Sequence, residues 1–132
     1  EAGYQIEETL LLPDGMQPLK SQLIRLADGR QMDLILTTGG TGFAPTDVTP
    51  EATLAVADRN APGIAEAMRA YSLSITPRAM LSRAASVLRG KTLIVNLPGS
   101  PKAVKESLEY ILPTLKHGIL LAKGEDGECA RK

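Results

Sequence analysis

Two short apolar runs, Leu34-Ile35-Leu36 and Leu93-Ile94-Val95, have no polar residue interleaved. A strand with one wet face alternates apolar and polar side chains. An uninterrupted run therefore reads as a strand buried on both faces, as in parallel sheets covered by helices. A third run, Ile6 to Leu12, stops at Pro13. Between the runs, glycine and proline cluster as Gly39-Gly40-Thr41-Gly42, Pro62-Gly63 and Pro98-Gly99-Ser100-Pro101, marking turns. At 132 residues, 43% of them hydrophobic, the chain suits one compact domain and leaves no room for two.

Helical spacing fills the gaps. Leu19, Leu23 and Leu26 share one face, and Val104, Leu108, Ile111, Leu112 and Leu115 share another. Thr49-Pro50, Thr76-Pro77 and Ser100-Pro101 each read as a capping hydroxyl before a first-turn proline. Residues 79–90 fit either a helix or a hairpin. The expectation is an α/β fold of three layers. A mostly parallel sheet has strands near 5–12, 33–38 and 92–97, flanked by helices near 15–31 and 101–117. The domain spans 1–123. Residues 124–132, without apolar periodicity, are expected to form a mobile tail. The opening Glu1-Ala2-Gly3-Tyr4-Gln5-Ile6 reads as a helix end, a glycine stop and a strand. This leads us to expect that an N-terminal strand–helix unit is missing, the alternative being a frayed start to a complete domain.

Composition narrows the function. Fifteen Lys+Arg balance fifteen Asp+Glu, so no basic field favours nucleic acid or a membrane surface. One Phe, three Tyr and no Trp leave few platforms for stacking bases. One Cys and one His cannot build a zinc, haem or iron–sulfur centre. Cys129 has no intrachain disulfide partner, no run approaches the ~20 residues of a membrane span, and no signal-peptide pattern opens the sequence. A cytoplasmic protein is expected.

The chemistry concentrates at residues 37–51, Thr-Thr-Gly-Gly-Thr-Gly-Phe-Ala-Pro-Thr-Asp-Val-Thr-Pro-Glu. Glycines after a buried strand let the backbone approach an anion, and a helix N-terminus adds positive potential. Neither a Walker loop nor the dinucleotide fingerprint is present. The alternative is a tight turn. Asp14 follows the 5–12 run and Asp47 follows the glycine loop. If their strands are parallel neighbours, both carboxylates reach one edge, where they suit Mg²⁺ held by carboxylates and substrate oxygens. The alternatives are a turn aspartate and a capping aspartate.

The run from Asp33 to Thr53 closely resembles the molybdopterin adenylyltransferase family, which includes Mog- and MoaB-type proteins and the G domains of gephyrin. The likeness continues through Ala61-Pro62-Gly63, Ser72 to Pro77, Met80 to Arg83, Asn96 to Ala103 and Leu112-Pro113. It implies attack by the terminal phosphate of molybdopterin on the α-phosphorus of ATP, giving adenylyl-molybdopterin and pyrophosphate. By resemblance, Asp14 and Asp47 are the catalytic Mg²⁺ ligands, while Thr41, Ser72 and Asn96 contact molybdopterin. Gly39, Gly40 and Gly42 hold the nucleotide together with Leu97, Pro98, Gly99 and Ser100. The family's opening strand and its Ser-Asp…Gly…Asp-x-Ser-Gly-Pro segment have no counterpart here. Arg83 and Lys102 are candidate phosphate contacts or solvated cations. Tyr71 lines the pterin pocket or packs, and His117 is structural. The resemblance also implies a homo-oligomer, a trimer or a hexamer. A non-catalytic molybdopterin-binding or scaffold relative is the alternative function.

Overall fold

The computed structural model describes residues 3–125. In chain order the elements are α1 (Met16–Ile24), β1 (Leu34–Thr38), α2 (Thr49–Ala55), β2 (Arg59–Asn60), α3 (Pro62–Leu73), β3 (Ser86–Arg89), β4 (Thr92–Leu97) and α4 (Pro101–Ala122). A π-helical turn, Arg25–Gly29, prolongs α1, and a 3₁₀ turn, Pro77–Leu81, follows α3. Residues 1–2 and 126–132 lie outside the described residues, and with them Cys129 and most of the expected tail. Gly3, expected to stop a helix, has φ 85°.

All six residues of β4 are buried. Successive side chains of a strand point to opposite faces, and β4 uses both. Leu93, Val95 and Leu97 pack with Met68 of α3 and with Ile111, Leu115 and Ile119 of α4. Ile94 packs the other way, with Leu23, Ala27, Ile35, Val56 and Val87. The protein is therefore α3 and α4, sheet, α1 and α2. These are the three expected layers. Each large apolar side chain so buried contributes about 1.5–3 kcal/mol.

The sheet is mixed rather than mostly parallel. Its order is β1-β4-β3-β2, with β1 and β4 parallel and the other two ladders antiparallel. Residues 79–90 explain the difference, since they divide between the 3₁₀ turn and the first strand of a hairpin. Arg89 pairs with Thr92 across Gly90-Lys91, and Gly90 takes φ 57°. A two-residue turn joins antiparallel neighbours, which a parallel connection cannot do.

The expected strand at 5–12 does not form among the described residues. Residues 4–13 carry no regular structure, and Ile6 and Leu11 are 83% and 99% exposed. An apolar run becomes a strand only where a ladder satisfies its backbone. Here the segment is tied down by side chains. The Tyr4 hydroxyl donates to the Leu112 carbonyl at 2.8 Å, and Glu8 pairs with Arg25 and Arg30. β1 is consequently the outer strand, with Ile35 buried but Leu36 37% exposed.

Two of the three expected caps form. The Ser100 hydroxyl accepts from the Ala103 N–H at 3.1 Å, and the Thr76 hydroxyl accepts from the Arg78 N–H at 3.3 Å. Thr49 is not a cap. Helix α2 begins at Thr49 itself, after Val48, with no side-chain cap. The first expected helix, 15–31, occupies 16–29 with its π turn, and α4 runs past the expected end through Pro113.

Candidate functional site

Because β1 and β4 are parallel, with Thr38 opposite Leu97, the segments that follow them leave the sheet at the same edge. The glycine loop and the Pro98-Gly99-Ser100 turn therefore meet. The Gly39 N–H donates to the Leu97 carbonyl at 3.2 Å, and a Cβ on Gly99 would lie 3.5 Å from Gly39 Cα. Gly39 and Gly40 take φ 83° and 70°, where side-chain-bearing residues are strained. Gly40 accepts from the Thr49 N–H at 3.1 Å, and a Cβ there would sit 2.2 Å from Thr49 Oγ1. The loop is pressed onto the start of α2, and only glycine allows that approach.

Arg83 holds the loop from the other side. Its Nε donates to the Gly42 carbonyl at 2.8 Å, Nη2 to the Asp47 carbonyl at 2.6 Å, and Nη1 pairs with Glu51 at 2.5 Å. Its backbone N–H also donates to the Thr41 carbonyl at 2.8 Å. Hydrogen bonding to Arg83 lowers the Glu51 carboxyl below its ordinary value. Arg83 is thus neither a free phosphate contact nor a solvated cation. It is a clamp joining the loop to α2.

A cleft of about 250 Å³ opens between this loop and the α3–α4 layer. Of the expected residues, Thr41, Gly42, Ser72 and Pro98 line it, with Thr41 only 7% exposed. Asn96 does not. It is fully buried on the opposite face of β4, donating to the Thr37 and Thr53 hydroxyls at 2.9 Å and accepting from the Ala85 N–H at 3.0 Å. Leu97 is core, and the Ser100 hydroxyl is engaged as the α4 cap.

Neither aspartate is among the residues lining the cleft. Asp47 lies beside the loop: its Oδ2 accepts from the Ala44 N–H at 3.0 Å and would meet a Cβ on Gly42 at 2.9 Å. Asp14 sits exposed on the bend before α1. Among the described residues no cluster of three or more metal-ligating side chains occurs. The strand expected to carry Asp14 to this edge does not form, so the structure places only Asp47 beside the loop, with one carboxylate oxygen outside its loop bond. One carboxylate with substrate oxygens fits Mg²⁺, which takes one or two carboxylates, and does not fit a metal needing a protein cage.

Several other residues find different places. Tyr71 stacks on Tyr110, ring centroids 4.3 Å apart, and so packs outside the cleft. Lys102 and His117 are exposed on α4. Sequence reasoning missed Arg69, Ser82, Glu106 and Ser107, all of which line the cleft. Within the stretch Lys105-Glu106-Ser107-Leu108 nothing marks a site, since a polar pair on a helix usually faces water.

Residues 1–117 match the family described as "Probable molybdopterin binding domain". The chain belongs to this family. It is 52% identical over 117 residues to a molybdopterin adenylyltransferase of Haemophilus influenzae, covering 89% of this chain and 58% of that one. It is 54% identical over 104 residues to the molybdopterin adenylyltransferase of Escherichia coli, covering 79% and 53%. The chain thus spans just over half the length of these curated relatives. Among solved structures it resembles the molybdopterin biosynthesis enzyme MoaB of Thermus thermophilus. The TM-score is 0.80 at 54% identity, covering 85% of this chain and 70% of that one. No helix among the described residues is long and apolar enough to cross a membrane.

Proposed function

We propose that this chain is the substrate-binding part of a molybdopterin adenylyltransferase acting in molybdenum cofactor assembly in the cytoplasm. One observation carries the reading: the glycine loop and the Pro98-Gly99-Ser100 turn converge beside a cleft lined by Thr41 and Ser72. In the reaction, a terminal phosphate oxygen of molybdopterin bonds to the α-phosphorus of ATP as the bond to the pyrophosphate oxygen breaks. The nucleophile is already ionised, so the protein supplies positioning and charge neutralisation rather than a base. Thr41 and Ser72 hold molybdopterin with neutral hydroxyls, which add no charge to the site. The backbone at Gly39, Gly40 and Gly42 and the turn after Leu97 seat the nucleotide. Asn96 acts one layer behind, fixing β4 against Thr37 and α2.

Asp14 and Asp47 hold Mg²⁺, which when bound offsets charge between the two approaching phosphates. The domain over 1–123 assembles as a homo-oligomer, a trimer or a hexamer. Exposed Leu73, Met80 and Leu81 would provide apolar surface for that contact. The test is AMP transfer from Mg-ATP to molybdopterin by the full-length protein. Asp47→Asn and Asp14→Asn should keep the fold and lower transfer by roughly a hundredfold or more. Near-normal turnover in Asp47→Asn removes the metal assignment. Transfer at background level in the native protein leaves a molybdopterin-binding scaffold.

A further inference from the structure

The α4 wall of the cleft carries polar groups that the protein does not engage. Ser107 lines the cleft and is 1% exposed, yet its Oγ is buried without any hydrogen-bond partner. Among the described residues no other buried side-chain nitrogen or oxygen is in that position. A buried hydroxyl that has lost water and gained no partner is unfavourable, so it points to a group that arrives later. Glu106, the preceding residue, also lines the cleft and is half-buried. Of the two arginines in the lining, Arg69 is already engaged, donating to the Ser82 and Ala84 carbonyls at 3.3 and 2.9 Å, and Arg78 is exposed. Ala65, Met68 and Ala103 make the surrounding wall apolar.

An apolar slot with a carboxylate and a hydroxyl in its wall has a definite chemical complement. We propose that Glu106 and Ser107 form a subsite that reads the hydrogen-bonding edge of a flat nitrogen heterocycle. The edge that fits is one with adjacent N–H donors, the 2-amino group and ring N–H of a 2-amino-4-oxopteridine. The carboxylate accepts two parallel N–H bonds, the serine hydroxyl turns to donate or accept, and apolar side chains cover the ring faces. This rests on the cleft being the molybdopterin site and assigns residues to the pterin edge. A site built to bond a polar group rejects analogues lacking it more strongly than apolar contact can.

Fluorescence titration of the full chain tests the subsite. Two ligands serve: a 2-amino-4-oxopteridine with a phosphorylated side chain at C6, and its 2,4-dioxo counterpart. The native protein should prefer the amino compound by about tenfold or more. Glu106→Gln should weaken that compound by roughly ten- to a hundredfold and abolish the preference. Ser107→Ala should weaken it by about three- to tenfold while raising the Tm of the free protein by about 2–5 °C. A serine with a purely structural role would not move these two readouts in opposite directions. If both variants bind as the native protein does, the subsite is wrong and the molybdopterin reading stands. If the native protein binds neither pteridine, both fall.

Discussion

The two glycines that open the loop differ in what a side chain would meet, and the difference sets a prediction. Gly39→Ala adds a methyl where nothing lies within 4 Å, so only the backbone strain at φ 83° remains, about 1 kcal/mol. Gly40→Ala has the same strain plus a Cβ 2.2 Å from Thr49 Oγ1 on the first turn of α2, and should cost about 2–4 kcal/mol. Urea unfolding should rank them in that order, and equal midpoints would contradict the close approach. Asn96→Ala should cost a similar 2–4 kcal/mol, because it strands the Ala85 N–H and two threonine hydroxyls inside the protein. At this scale the sequence was partly legible. Clustered glycine announces a backbone that must bend or approach closely, and that holds at Gly40. Asn96 entered only through the family resemblance, which does not say which face of the strand it serves. Arg83 was not legible as a clamp, since its partners Gly42, Asp47 and Glu51 lie 41, 36 and 32 residues away.

Among the elements, β4 was readable because a strand buried on both faces leaves a local mark, an apolar run without alternation. The run at 6–12, which Glu7, Glu8 and Thr9 interrupt, misled, for a strand also needs an edge to pair with, and pairing is not a local property. The hairpin of β3 and β4 was legible only as a possibility, since the apolar residues of 79–90 fit a helix as well as a hairpin. Helix α4 offers the sharpest test at this scale. It continues for 22 residues with Pro113 exposed inside it. Proline has no N–H for the Glu109 carbonyl and its ring crowds that turn. Pro113→Ala should restore the bond and raise stability by about 1–3 kcal/mol, read as a higher urea midpoint. Tyr4, which donates to the neighbouring Leu112 carbonyl, should keep that contact. An unchanged or lower midpoint would mean that the buried face of α4 is packed around the proline bend.

Across the molecule, charge is balanced at fifteen and fifteen, and much of it is arranged as ties between distant segments. Glu8 joins the N-terminal segment to Arg25 and Arg30, Asp28 joins the end of the first helix to Arg89 of β3, and Glu51 joins α2 to Arg83. In each case hydrogen bonding to arginine lowers the carboxyl below its ordinary value. The sign follows from proton counting. In acid the unfolded chain, with ordinary carboxyls, binds more protons than the folded one. The contribution is therefore complete above about pH 5 and is lost as pH falls through the lowered folded values. The pairs are largely exposed, so each is modest and salt weakens it. The urea midpoint should thus stay nearly level from about pH 6 to 8 and fall progressively below about pH 5. Arg83→Met with Arg89→Met removes the cations while keeping much of the apolar stem. It frees Glu51 and Asp28 to titrate alike in both states, so the double variant should lose less stability between about pH 5 and 3 than the native protein. An identical acid slope in the two proteins would show that carboxyls other than Glu51 and Asp28 govern it.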